Sequence, residues 1–335
     1  MNKDKDFLGT EPVGKLMFRL ALPTITAQLI NMLYNIIDRI YIGHIPGNGA
    51  LALTGVGVCM PLIMIISAFA ALVGGGGAPH ASIAMGKNDL NTAEHILGNC
   101  FFLQILISII LTVILLFGNR TFLLAFGASE NTIEYAVNYM NIYAVGTIFV
   151  QLTLGMNMFI TTQGFAKTGM LSVLIGAVMN IVLDPLFIFG FGWGIKGAAW
   201  ATVIGQIVSG VLVIVYFCKF RKMYLTGAML KPKLSYLKAI VSLGMASCIN
   251  QIAMAVVQIV LNNILRYYGG NSVYGSDIPI ACVGVISKVN MVFMAICIGI
   301  SQGSQPIWGF NNGAEAYDRV KRTYWKAFQI AMAVG

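Results

Sequence analysis

Asn180 and Asp184 stand four residues apart in MNIVLDPLFIFGFGWG, residues 179–194, an otherwise apolar stretch. On a helix that spacing puts an amide and a carboxylate on one face, a turn apart. Tyr34 and Asp38 repeat the arrangement in an earlier apolar run, with Asn31 near the same stripe. Thr202 and Gln206 repeat it in a later run, and Asn157, in LGMNMFITTQG, adds another amide. Carboxylates, amide carbonyls and hydroxyls are hard oxygen donors. Together they suit a cation such as Na+, and two carboxylates equally suit a proton relay. The plainer role is interhelical hydrogen bonding, which stays open for Thr202, Gln206 and Asn31 in particular. The carboxylates argue for more. An ionised Asp at the centre of a membrane helix costs about 2.5–3.5 kcal/mol on insertion scales, so an apolar residue would be cheaper. Of the twelve acidic residues, only Asp38 and Asp184 lie well inside apolar runs. Arg39 adjoins Asp38, where it either neutralises the carboxylate or snorkels to the outer surface.

The elements that must position these groups follow from composition. The chain is 58% hydrophobic and 10% charged, with mean hydropathy +0.80. Soluble domains carry about 25% charged residues. Continuous apolar runs recur along the length without the alternation of a membrane barrel, which predicts an all-α polytopic membrane protein. Spans are expected near 15–43, 51–84, 91–118, 131–162, 168–190, 195–219, 235–268 and 277–310, with part of a ninth over 317–335. The N-terminus has no compact apolar segment ending in a small-residue cleavage site, so no cleaved signal peptide is expected.

The net charge of +9 does not point to nucleic acid, because the basic residues fall in short clusters between apolar runs. With the N-terminus in the cytoplasm, sixteen Lys and Arg fall on the inside, from Lys3 and Lys5 through Arg221 and Lys222 to Lys326. Only Arg120, Lys196 and Arg266 fall outside. That bias predicts an N-terminus-inside, multi-pass protein of the plasma (inner) membrane. The basic stretch 218–238 reads as a cytoplasmic linker or an ordinary loop. The expected division is a six-helix lobe over 1–218, a linker over 219–234 and an incomplete second lobe over 235–335.

An internal repeat supports two related halves. VGVCMPLIMIISAFAALVGGGGAPHASIAMG (56–86) aligns without gaps on VGVISKVNMVFMAICIGISQGSQPIWGFNNG (283–313) at an offset of 227. Identities include Gly76/Gly303, Pro79/Pro306 and Gly86/Gly313. The copies are spans two and eight. An even separation preserves direction across the membrane, so the repeat is parallel, with its axis along the membrane normal. A full second half would need six helices. About three are present, so a truncated second lobe is expected.

The remaining features are plainer. Six scattered cysteines lack CxxC spacing and read as core residues, and His44, His80 and His95 lack metal-ligand spacing. GGGG, residues 74–77, lacks the Lys-Ser/Thr of a phosphate loop and reads as a site of close packing. Pro23 removes a backbone donor inside the first span and would kink it. The eighteen Met residues would suit an adaptable apolar cavity as well as ordinary packing.

The segments LPTITAQLINMLYNIIDRIYIG, ALTGVGVCMPL, GMNMFITTQGFAKTGM and MNIVLDPLFIFGFGWGIKGAAWATVIGQ resemble the multidrug and toxic compound extrusion (MATE) family, more narrowly its bacterial DinF-like and MepA-like branch. The resemblance runs over essentially the whole chain. It implies two six-helix lobes facing each other across a cavity, and export of cationic amphiphilic drugs driven by Na+ or H+ through alternating access. It also implies a first-lobe cation site at Asp38, Asn180, Asp184, Asn157 and Thr202, with Tyr34 nearby and bending at Pro23. The seventh span departs from some relatives: Asn250, Gln251, Gln258, Asn262 and Asn263 are amides with no acid among them. Coupling is then expected to rest on the first lobe.

The expected protein is a monomeric cation-coupled multidrug antiporter without a cofactor, nucleic-acid partner or metal beyond Na+. A lipid or lipid-linked glycan flippase of the same superfamily is the alternative within transport, although the polar residues show no strongly charged cavity for polyphosphate headgroups. A non-transporting fragment is a further alternative. An intramembrane enzyme is disfavoured: no Ser-His, HExxH or GxSxG constellation occurs.

Overall fold

The computed structural model describes residues 7–219, 223, 225–271 and 277–334. Lys3, Lys5, Arg221 and Lys222, and the side chains of Arg266, Asn262 and Asn263, lie outside the described residues. A short α1 (Phe7–Thr10) precedes the long helices α2 (Val13–Gly43), α3 (Gly49–Gly86), α4 (Leu90–Ala125), α5 (Ile133–Thr162) and α6 (Ala166–Pro185). Then come α7 (Ile195–Lys219), α8 (Leu234–Gly270), α9 (Asp277–Gly313) and α10 (Tyr317–Val334). Among the described residues, seven helices, α2 to α8, are long and apolar enough to cross a membrane. The expected ninth span is helical, but Asp318, Arg319, Lys321, Arg322 and Lys326 make the first part of α10 charged.

Local chemistry sets the helix ends. The Asp89 side chain accepts from the Thr92 backbone N–H at 3.0 Å and caps α4. Gly164 takes φ +89° in the α5–α6 turn, against the Phe7 ring, where a Cβ would be strained and crowded. Pro23 does not stop α2, which continues as one helix to Gly43.

The packing repeats as the sequence does. Exchange of α2 with α8, α3 with α9 and α4 with α10 maps the α2–α9 contact onto α8–α3, and α10–α2 onto α4–α8; the α3–α9 contact maps onto itself. The repeat glycines occupy equivalent places. Gly76 presses on the backbone of Ile240 and Gly244 in α8, and Gly303 on that of Leu20 and Ala21 in α2. Gly86 meets the Phe310 carbonyl while Gly313 meets that of Ile83, and both pairs lie 227 residues apart. Any side chain at these glycines would push the helices apart, which is why the Gly register persists between copies. Gly76 explains part of the GGGG run as a packing site. Hydrogen bonds reinforce the seam: Thr24 Oγ1 donates to Gly299 O at 2.6 Å, Gln28 Nε2 to Gln302 Oε1 at 3.1 Å, and Ser82 Oγ to Pro306 O at 3.1 Å. These contacts lie at the end of the molecule where α2 begins.

At that end α1 is wedged between the halves. Phe7 lies on Gly164, while Asn311 Nδ2 donates to Leu8 O at 3.0 Å. Arg319 donates from Nε to Asn311 Oδ1 at 3.0 Å and from a terminal nitrogen to Glu11 O at 2.8 Å. Glu11 also pairs with Lys15 at 3.6 Å and Arg19 at 3.4 Å.

Candidate functional site

The site lies at the opposite end of α2 from the seam. Seventeen residues separate Ala21 from Asp38, about 25 Å along a helix. α6 and α7 form one wall. Gly176 faces the Gly205 carbonyl and Ser209 Oγ, and Gly205 faces the Gly176 carbonyl, so the two backbones touch. One turn beyond each contact, this brings Asn180 against Thr202: Asn180 Nδ2 donates to Thr202 Oγ1 and to Asp184 Oδ1, each at 3.3 Å. α2 packs on α6 and supplies Asp38, whose carboxyl lies within hydrogen-bond reach of Asp184. Pro185 follows directly. It has no N–H to continue the ladder, so the helix widens over 186–190 and closes with Phe191 N donating to Leu186 O at 2.9 Å.

The group is nearly dry. Asp184 is fully buried, Asn180 is 2% exposed, Asp38 6% and Thr202 8%. Three oxygens have no partner among the described residues: Asp38 Oδ1, Asn180 Oδ1 and Asp184 Oδ2. Two adjoining buried carboxylates repel each other when both are charged, and a proton or a cation would relieve that repulsion. The unpaired oxygens are what such a cation would bind. Arg39 is the nearby positive charge, and its Nε is buried without a partner.

Other expected residues divide. Tyr34 belongs to the group: it faces Asp38 and Asp184, with Asn35 and Gln206 beside its hydroxyl. Gln206 therefore joins through Tyr34. Asn31 is half-buried, and its backbone carbonyl accepts from Asn35 Nδ2 at 2.6 Å. No contact joins the Asn31 side chain to the carboxyl pair among the described interactions. Asn157 sits elsewhere. Its Nδ2 donates to Gly169 O and Ser172 Oγ, each at 3.2 Å, pinning α5 to the beginning of α6. Ser172 precedes Asn180 by eight residues, about 12 Å along α6, so the expected place of Asn157 in the cation set is corrected. Residue spacing gave Asn157 a polar face but not a depth. Pro23 lies near the seam, beside Thr24, rather than beside the carboxylates.

Two residues escaped sequence reasoning. Tyr139 of α5 faces Asp38 and lies beside the Thr202 hydroxyl. Tyr143, one turn on, faces Tyr34. Both are buried. A signal was present: Tyr139, Tyr143, Thr147 and Gln151 recur every four residues along α5 and make a buried polar stripe. Among the described residues, no cluster of three or more His, Cys, Asp or Glu could hold a metal ion.

The family model MatE matches residues 23–186, a stretch that begins in α2 at Pro23, contains Asp38 and ends just beyond Asp184. The multidrug export protein MepA of Staphylococcus haemolyticus is 25% identical over 300 residues, covering 89% of this chain and 64% of that protein. The chain is similar to the MATE family over these stretches. MepA of Staphylococcus aureus (strain NCTC 8325 / PS 47) is likewise 25% identical, over 90% of this chain and 65% of its own length. The chain thus spans just under two-thirds of the length of these curated relatives. In fold, it superposes along its whole length on 73% of a MATE crystal structure solved in complex with MaD3S, at TM-score 0.89 and 24% identity. The paired aspartates therefore sit on an all-helical scaffold that this chain shares with a MATE structure.

Proposed function

We propose that this chain belongs to a cation-coupled multidrug antiporter, a transporter rather than an enzyme, which exports cationic amphiphilic compounds. The observation that carries the reading is the dry Asp38–Asp184 pair with Asn180, each of which keeps a buried oxygen without a partner among the described residues. A proton or Na+ taken up there neutralises the pair, and its release leaves repulsion that the protein must relieve by changing shape. Coupling to export follows if the charged and neutralised forms favour different arrangements of the halves.

In this reading residues 1–218 form the first lobe, 219–234 the cytoplasmic linker and 235–335 the chain's share of a second lobe. The N-terminus lies in the cytoplasm of a plasma-membrane protein, as the Lys and Arg bias suggests. The glycine-lined seam then closes the cytoplasmic side, and the cation site lies toward the outside. The multidrug export proteins named above support the substrate class.

The test is dye efflux from cells lacking their own pumps, with export of ethidium followed at imposed Na+ and pH gradients. Asp184→Asn should reduce gradient-driven efflux to background at unchanged membrane expression. Wild-type efflux in that variant would overturn the coupling role. Dependence on Na+ at fixed pH identifies sodium as the driver, and its absence identifies protons.

A further inference from the structure

A second cavity, of about 590 Å³, lies on the outer face of the helices, between α6 and α7 at the end nearest the seam. That volume falls in the range of about 300–1,000 Å³ typical of small-molecule sites. Its walls are apolar: Leu171 and Ile175 of α6, Leu212 and Val215 of α7, and Phe165 just before α6. Leu171, Ile175 and Val215 are exposed, as expected of side chains facing lipid. Two polar features break the apolar surface. Tyr216 lines the cavity, is 4% exposed, and its hydroxyl has no partner among the described residues. Thr168 lies at the mouth, where both helices end.

The charges at that mouth have one sign. Lys167 stands four residues before Leu171, and Leu171 four before Ile175, so the lysine tops one wall. Lys219 stands four residues after Val215 and tops the other. Both lysines are exposed. An apolar trough ending in two ammonium groups matches an acyl chain attached to an anionic headgroup, and it repels a cationic amphiphile.

We propose that the α6–α7 groove binds one anionic phospholipid, with an acyl chain along Leu171, Ile175 and Val215 and the phosphate between Lys167 and Lys219. The Tyr216 and Thr168 hydroxyls donate to its ester or phosphate oxygens. The site lies on the two helices that carry Asn180, Asp184 and Thr202, yet it is separate from them: the Asp38–Asp184 pair is near the other end of α6.

Native mass spectrometry of the purified, delipidated chain tests this, with phosphatidylglycerol, phosphatidylcholine and cetyltrimethylammonium titrated as separate probes. The expected result is one phosphatidylglycerol retained in preference to the other two, weakened by high salt. Replacing both lysines, Lys167→Gln with Lys219→Gln, should cost about tenfold or more in phosphatidylglycerol affinity and little for phosphatidylcholine. Ile175→Trp should block the groove, and volume-conserving Tyr216→Phe should weaken retention without loss of folding. Equal retention of both phospholipids, unaffected by the lysine pair, would overturn the site and leave ordinary boundary lipid. Tighter binding of cetyltrimethylammonium would also overturn it and make the groove a substrate portal. Asp184→Asn should leave phosphatidylglycerol retention unchanged, which separates this test from that of the antiporter reading.

Discussion

Two buried polar regions of this chain are built to opposite rules. At the joint between α1 and the α9–α10 turn, Asn311 is fully buried, and its amide bonds to Leu8 O, Ile307 O and Arg319 Nε. Its donors and acceptor are all used. In the carboxylate group, Asp38, Asn180 and Asp184 each retain an oxygen without a protein partner. An orphaned buried acceptor costs about 1–3 kcal/mol, and charged groups cost more. A region that only held helices together would have no reason to keep three of them. The comparison separates polar residues whose hydrogen bonds are complete from polar residues that, in the proposed reading, wait for an ion.

Substitutions should therefore dissociate activity from stability. The largest expected effect is on function: Asp184→Asn or Asp38→Asn abolishes gradient-driven efflux while thermal stability is kept or raised, because a buried charge is removed. Detergent melts beside efflux assays would show this, and a large fall in stability would blur the contrast. The joint should behave in reverse. Asn311→Leu strands Arg319 Nε and leaves Leu8 O with only the longer bond from an Arg319 terminal nitrogen, and should cost about 1–3 kcal/mol of stability, read by melting, with the carboxylate site intact.

A smaller effect sharpens the positioning argument. Gly176→Ala puts a methyl against the Gly205 carbonyl and Ser209 Oγ. It should shift Asn180 from Thr202 and weaken cation binding several-fold, measured by titration of the purified chain. Asn157→Ala should cost at most about 1 kcal/mol and leave cation dependence unchanged, since its bonds go to Gly169 and Ser172.

The smallest effect concerns the cap of α4. Thr92 hydrogen bonds hold Asp89 below the usual carboxylate range. A lowered folded-state value means that its stabilisation is present above the unfolded value and fades as pH falls through the folded one. Asp89→Asn should melt like the parent in strong acid and only slightly below it at neutral pH. An equal difference at both would argue that the charge is not involved.

Much of this architecture was legible from residue order. Apart from α4, which runs on to Ala125 where 118 was expected, apolar runs placed the long helices to within a few residues, because Gly, Pro and charged turns interrupt them. The Gly76/Gly303 and Gly86/Gly313 register foretold two related halves, and the seam supplies the reason, since only glycine permits those backbones to meet. Asn180 and Asp184 were legible because a carboxylate in an apolar run has few cheap explanations. Tyr139 and Tyr143 were not: an aromatic on an apolar helix usually packs, and only the fold shows which carboxylate it faces. Asn157 was misplaced for a related reason. Helical spacing specifies a face, whereas depth along a neighbouring helix depends on how the two helices slide past each other. Pro23 likewise belongs beside the seam, at a distance from the chemistry that its span carries.

The central claim is that the unpaired oxygens of Asp38, Asn180 and Asp184 exchange a cation when substrate binds. Measuring ion release from the weakly buffered, purified chain on addition of ethidium tests it most directly, with proton and Na+ electrodes read together. The account predicts release of a proton or Na+ from the parent and from Asn157→Ala, and none from Asp184→Asn. Undiminished release from Asp184→Asn would contradict it.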